Sequence, residues 1–453
     1  MPTLTETLID KILSVQYDTL PAAAIDMAKH CVLDGIAVML AGATEPLGLG
    51  RIVMQYVKDT GGNPQATVIA GGFKTSMINA AYANGTMAHA LDFDNTWYPL
   101  NHPTSPTLPA ILAIAEHDNL GGQKIIEALV TAFEVQGRMR MASTGLETGS
   151  GFHKPGTTGQ FGAVTAAAKM LDLTREQMLM AFGLAGSRAG SISINTGSMT
   201  KSSHSGHAAR NGVECAVLAQ MGWTASADVF GPKGFFDTFL FGKAEPHLLT
   251  DHFGVPFRLV DPGVGFKKHP SNYFTHRPID AALALREEHG ITPDQIANVE
   301  VVFPRFEYVN RPQPETGLDG KFSVQYTTAV ALLDGEITVD SFDNERRFAP
   351  DVVALLPKVQ LTFDDNIPND FDRLHIDLTV TLKDGRKLQR REAKLSGWVG
   401  NPLTREQRMR KFHSCARRVL PMDKAERIVA IVEDLERQQN VVELMELLRT
   451  PKG

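Results

Sequence analysis

The chain has 453 residues, 43% hydrophobic and 21% charged, a globular composition with more mass than one hydrophobic core normally organises. Its net charge of -6 excludes nucleic-acid binding through overall charge, so an anionic ligand would need a local group of cations. Cys31, Cys215 and Cys415 are far apart with no CxxC pair, which argues against a disulfide framework and a cysteine-based metal site and fits a reducing cytoplasm.

The first residues lack a basic segment followed by an apolar one, so no secretory signal is expected. Apolar runs at 35–43 and 108–115 fall short of the roughly 20 residues that cross a bilayer, so no membrane association is expected. Alanine-rich positions three and four apart predict helices at 22–38, 125–138 and 162–171. Thr174 and Gln177 have capping-box spacing, with each side chain satisfying a free N–H at a helix start. Residues 1–264 therefore read as mostly helical.

Strands are predicted at 298–303 and 358–363. Ile376, Leu378, Val380 and Leu382 alternate with polar residues ahead of Asp384-Gly385, a hairpin signal. Helical texture returns after Pro402, with a second box at Thr404 and Gln407 and an amphipathic helix over 423–437. Its apolar stripe, Ile428, Ile431 and Leu435, needs a partner, and the first helical segment can supply one. Arg418 and Lys424 lie among acids and read as a solvated helix face. The expected fold is mainly α with a smaller α+β domain. Residues 1–264 and 400–453 form a helical domain from both chain ends, and residues 265–399 form an α+β lid.

Between two small-residue apolar segments, 80–90 and 108–115, lies the densest polar chemistry of the chain. Asp92, Asp94, Thr96, Trp97, Tyr98 and His102 fall within eleven residues, a composition suited to an active-site rim on a rigid scaffold. No phosphate-loop, HExxH or GxSxG motif occurs. Ser198 to Lys201 matches SxxK, but neither SDN nor KTG accompanies it, so a serine acyl-enzyme is not the reading. His153 stands among glycines before a small-residue helix, where an anion could approach the backbone. Lys201, His204, Lys267, Lys268, His269 and His276 recur near other expected helix starts. Taken singly, each would be structural or surface; their repeated placement favours a site.

Five segments together resemble the motifs of the MmgE/PrpD family, in the family's order: His89 to Trp97 with His102-Pro103, Gly151-Phe152-His153, Thr200-Lys201 with Gly206 to Gly212, Gly265-Phe266-Lys267, and Phe322 to Tyr326 with Leu332 to Gly335. The resemblance spans about residues 5–450. It implies a homodimer with a cofactor-free, metal-free pocket between a helical domain and a lid. Members dehydrate 2-methylcitrate, decarboxylate cis-aconitate or epimerise iminodisuccinate, so a small di- or tricarboxylic acid is the implied substrate.

Carried over by motif, the implied catalytic residues are Asp92, His102, His153, Lys201 and Lys267, and the implied substrate-binding residues are Thr96, His276 and Tyr326. In the implied roles, the lysines neutralise carboxylates, a histidine moves a proton, and Asp92 orients its neighbours while a carbanion develops beside a carboxylate. The spacing from Asp92 to His102 is closer to the dehydratase and decarboxylase branches than to the epimerase. Tyr98 and Asn95 depart from the decarboxylase pattern, which often has histidine and a second aspartate there. An epimerase and a non-catalytic carboxylate-binding relative are the alternatives.

Overall fold

A computed structural model describes residues 1–143, 151–241 and 243–449. The alanine-rich segments form the helices Ala22–Ala43, Gly122–Ala142 and Thr158–Met170. Every residue of Thr158–Met170 is buried, as expected of a helix surrounded by others rather than one lying on a surface. Small residues let neighbouring backbones approach closely. A Cβ on Gly206 would lie 2.1 Å from Thr86 Oγ1 and 2.5 Å from the Tyr82 carbonyl, so only glycine lets helix Met199–Gln220 lie this close to helix Met77–Ala88. Both predicted capping boxes form, at Thr174 and Thr404.

The helical part also carries a short antiparallel pair, β1 (Ala66–Thr67) with β2 (Lys74–Thr75), which has too little sequence pattern to be foreseen. The later segment holds a four-stranded sheet of β3 (Ile296–Phe303), β4 (Val359–Phe363), β5 (Ile376–Leu382) and β6 (Lys387–Glu392) in the order β4-β3-β5-β6. β3 is parallel to β4, with Val301 opposite Leu361, and antiparallel to β5, with Val301 opposite Leu378. The alternation in β5 is realised, with Ile376, Leu378, Val380 and Leu382 all buried. The hairpin to β6 turns at Gly385, whose φ of +90° suits glycine. β6 carries no apolar alternation of its own, and its pairing with β5 decides its conformation.

Apolar side chains collect in two clusters. One unites the N-terminal helices with residues from Leu403 to Leu448; the other surrounds the four-stranded sheet and the helices His276–His289 and Val324–Asp334. The C-terminal helices return to the first cluster. Ile428, Ile431 and Leu435 are all buried there, and Lys411 of helix Arg405–Ala416 pairs with Asp34 of Ala22–Ala43 at 2.6 Å. Arg418 departs from its expected solvated role. Its guanidinium donates to Thr44 Oγ1 at 2.8 Å and pairs with Asp340 at 2.6 Å, joining the returning tail to the sheet-bearing segment. Among the described residues no helix is long and apolar enough to cross a membrane. The three cysteines are free and buried.

Candidate active site

The polar stretch leaves helix Met77–Ala88 and enters helix Thr104–His117. An antiparallel bridge fixes it to the start of the sheet-bearing segment: Thr96 N–H donates to the Gly265 carbonyl at 3.0 Å, and Gly265 N–H to the Thr96 carbonyl at 2.7 Å. A Cβ on Gly265 would come within 2.8 Å of the Trp398 indole, so glycine is what fits here. This bridge sets Lys267, two residues on, against Asp92.

Asp92 adopts φ +50°, a left-handed conformation that costs most residues energy and aspartate less. Buried lysines hold the surrounding backbone. Lys321 donates to the Ala90 carbonyl at 3.2 Å, Lys267 to the Asp92 carbonyl, and Lys411 to the Phe93 carbonyl at 2.9 Å. Three elements distant in sequence thus converge on one turn.

The Asp92 carboxylate lies between two ammonium groups, one oxygen pairing with Lys201 and the other with Lys267 at 2.8 Å. Burial opposes its ionisation, but Lys201 and then Lys267 more than offset that and hold its carboxyl well below the usual range. Lys201 is the third residue of helix Met199–Gln220. A cation in a first helical turn opposes the helix dipole. The Asp92 carboxylate compensates, and despite burial Lys201 is raised above its ordinary value. Lys267 is lowered by burial, which Asp92 only partly offsets.

Beside this triad stands a group of imidazoles ordered by Asp94. Its carboxylate contacts His89 Nδ1 at 2.9 Å and His102 Nδ1 at 3.2 Å, while His102 Nε2 lies 3.7 Å from Asp92. His153 stacks on His89 with ring centres 5.5 Å apart and meets His204 Nδ1 to Nδ1 at 3.0 Å. Such a contact needs one protonated and one bare nitrogen, so it fixes complementary tautomers if both rings are neutral. Burial lowers His153 well below the ordinary histidine value, and Lys201 adds to the effect. His89 and His204 are each lowered to about 4, chiefly by burial.

A cavity of about 260 Å³ opens onto this cluster. Asp92, Thr96, His102, His153, Lys201 and Lys267 all line it. Thr96 also closes its own loop, its Oγ1 donating to the Asn101 carbonyl at 2.5 Å. The other two expected residues lie elsewhere. Tyr326 is buried in the second core with its hydroxyl donating to the Ser341 carbonyl at 2.5 Å, and it does not line the cavity. His276 is buried one layer behind the wall, Nε2 at 3.3 Å from the Ser271 carbonyl and its ring 4.7 Å from that of Tyr273. In this fold both side chains serve packing and hydrogen bonding. Tyr98, whose identity departs from the decarboxylase pattern, is 54% exposed and does not line the cavity.

Sequence reasoning missed several contributors. Tyr273 lines the cavity with a buried hydroxyl that has no hydrogen-bond partner among the described residues; burial and then the Asp34 carboxylate raise it well above the ordinary tyrosine value, keeping it a neutral donor. Lys321, buried and lowered to about 8 by that burial, and Lys411 sit in segments with no local motif. Asp94 was visible in the polar stretch, but His89 only as part of a family segment. With His102 they offer ligand atoms within 4.8 Å of one another, a geometry that could hold a cation and that cysteine spacing could not reveal.

Comparison with known proteins identifies the family. The MmgE/PrpD N-terminal domain model matches residues 6–248 and the C-terminal domain model residues 269–437. The chain is 32% identical to cis-aconitate decarboxylase of Mus musculus over 465 residues, covering 100% of this chain and 94% of that protein. It is equally 32% identical to the Homo sapiens enzyme of that name, covering 100% and 95%. Similarity to 2-methylcitrate dehydratase of Salmonella typhimurium is lower, 26% identity covering 78% of this chain and 76% of that protein. With both domain models matched in order and relatives similar along the whole chain, this protein is an enzyme of the MmgE/PrpD family.

Proposed function

We propose that the enzyme is a cofactor-independent lyase that decarboxylates a small di- or tricarboxylate of the cis-aconitate type. The observation that carries this reading is the sharing of Asp92 between Lys201 and Lys267 at a cavity also lined by His102 and His153. Full-length similarity to proteins named cis-aconitate decarboxylase favours loss of carbon dioxide over loss of water.

The chemistry follows from charge. When the carbon–carboxylate bond of an unsaturated acid breaks, its electron pair forms a new carbon–carbon double bond. The old double bond takes a proton at its far carbon. One carbon dioxide leaves and one proton is consumed, so no redox partner is required. Negative charge builds next to the remaining carboxylates, and preorganised ammonium groups in a dry site lower its energy. Lys201 and Lys267 supply that charge, and Asp92 keeps them in register. His153 is neutral at rest; an arriving carboxylate opposes the effect of Lys201 and favours proton uptake on the imidazole. His102, beside Asp94, is the second proton carrier.

The same reading includes a homodimer in the cytoplasm, for which sedimentation of the purified protein tests the first part. The activity is tested by incubating the enzyme with cis-aconitate, 2-methylcitrate and citrate while following released carbon dioxide and alkene absorbance. Carbon dioxide from cis-aconitate is expected. Alkene formation from 2-methylcitrate without carbon dioxide would replace the reading with dehydration, and turnover of none would remove it.

A further inference from the structure

Lys321 is buried and does not line the large cavity, yet its segment is tied to every side of the site. Its ammonium donates to the Ala90 carbonyl at 3.2 Å, at the start of the Asp92 turn. Its own carbonyl accepts from the N–H of Asn272, a cavity residue, at 3.0 Å. The ring of the next residue, Phe322, is centred 5.3 Å from the Lys201 ammonium. The Asp92 turn, the Lys201 helix and the segment that follows Lys267 therefore meet on one short stretch of chain.

That stretch is firmly seated. A Cβ on Gly320 would come within 2.6 Å of the Tyr326 ring, and Ser323 Oγ accepts from Tyr326 N–H at 2.9 Å to cap helix Val324–Asp334. Among the described residues no ion pair holds the Lys321 ammonium. Burial lowers it to about 8, while Glu45 and Asp92 favour its charge and Lys201 and Lys267 oppose it. A buried ammonium without an ion-pair partner is costly. What it secures is the turn in which Asp92 holds φ +50°. With Asp92 and Lys201 it also lines a chamber of about 10 Å³, separate from the large cavity.

We infer that Lys321 is a positioning residue: bound to the Ala90 carbonyl through its side chain and to Asn272 N–H through its backbone, it sets the Asp92, Lys201 and Lys267 triad against the opposite side of the cavity. This role rests on the reading of the site as a carboxylic-acid lyase and deepens it with a residue that touches neither the acid nor the reacting atoms. The backbone bond to Asn272 survives substitution of Lys321, so the side-chain bond to Ala90 is the part that a variant removes.

Lys321→Met keeps the side chain's bulk without its charge or donors, and Lys321→Arg keeps both. With cis-aconitate, Lys321→Met should lower kcat up to about 100-fold, the cost of a displacement of about 1 Å at the reacting centre, and leave KM within about threefold of native. Lys321→Arg should recover most of the loss. Hydrogen exchange of the acid-free enzyme, followed by mass spectrometry, should quicken in Lys321→Met only in peptides covering 90–97 and 265–275, with the melting temperature little changed. A kcat within about threefold of native, or a raised KM with native kcat, overturns the inference. Exchange that quickens along the whole chain with a lowered melting temperature also overturns it, since Lys321 would then serve general stability. If the native enzyme turns over no acid, locally quickened exchange that Lys321→Arg reverses supports the bridge while removing the lyase reading, and exchange unchanged from native overturns the bridge itself.

Discussion

Replacing Lys201 with methionine separates the electrostatic account from a purely structural one. In Lys201→Met the Asp92 carboxylate keeps Lys267 at 2.8 Å, so the buried ion pair is weakened without leaving an isolated charge. Breaking a buried pair outright costs about 3–5 kcal/mol, and with Lys267 retained the loss in stability should be near or below the lower end. Removing one preorganised charge-stabilising group should lower kcat about 100- to 1000-fold. Lys201 also helps to hold His153 neutral, so the variant should move the His153 ionisation upward. The assay is a pH–rate profile of the native and variant enzymes with cis-aconitate, alongside thermal unfolding. A variant that unfolds normally yet keeps kcat within tenfold of native, with no shift of the profile, would refute the reasoning.

Asp92→Asn should do more damage than the lysine change, because two buried ammonium groups then face each other across a neutral amide; a drop in melting temperature and loss of turnover are expected. Tyr326→Phe removes the hydrogen bond to the Ser341 carbonyl inside the second core, and chemical denaturation should record a loss of about 1 kcal/mol, with kcat changed far less than in the cavity variants. Stability should fall as pH drops from about 6.5 toward about 4. His89 and His204 stay neutral in the folded chain over that interval while their unfolded counterparts take up protons, so the unfolded state binds more protons and each contributes a loss of about 2 kcal/mol by pH 5. Melting temperatures across that range should decrease, and a flat profile would contradict the burial of these rings. Dialysis against a chelator should leave activity unchanged; lost activity restored by one metal would place an ion at His89, Asp94 and His102.

Legibility in the sequence followed the range of the interaction. Helices held by local periodicity and caps, such as Thr158–Met170 and the segment after Thr404, could be read directly, as could β5, whose alternation matches one buried face. β6 could not, because its exposed and half-buried residues owe their conformation to a neighbour. In the site, residue type together with family segments picked out Asp92, His102, His153, Lys201 and Lys267, whose chemistry is unusual for its surroundings. Tyr326 and His276 showed the limit of that reasoning, since a hydroxyl and an imidazole serve equally well inside a core. Lys321 and Lys411 show the converse limit. Each reaches a carbonyl of the Ala90–Phe93 turn from hundreds of residues away, and no spacing rule records such a contact.

The most direct test of the central claim is turnover of cis-aconitate in deuterated water followed by proton and carbon NMR. The account predicts one carbon dioxide released for each acid consumed and one deuterium on carbon in the product, at the far end of the former double bond. Deuterium entering the acid with its carbon skeleton intact, or a spectrum that does not change at all, would contradict it.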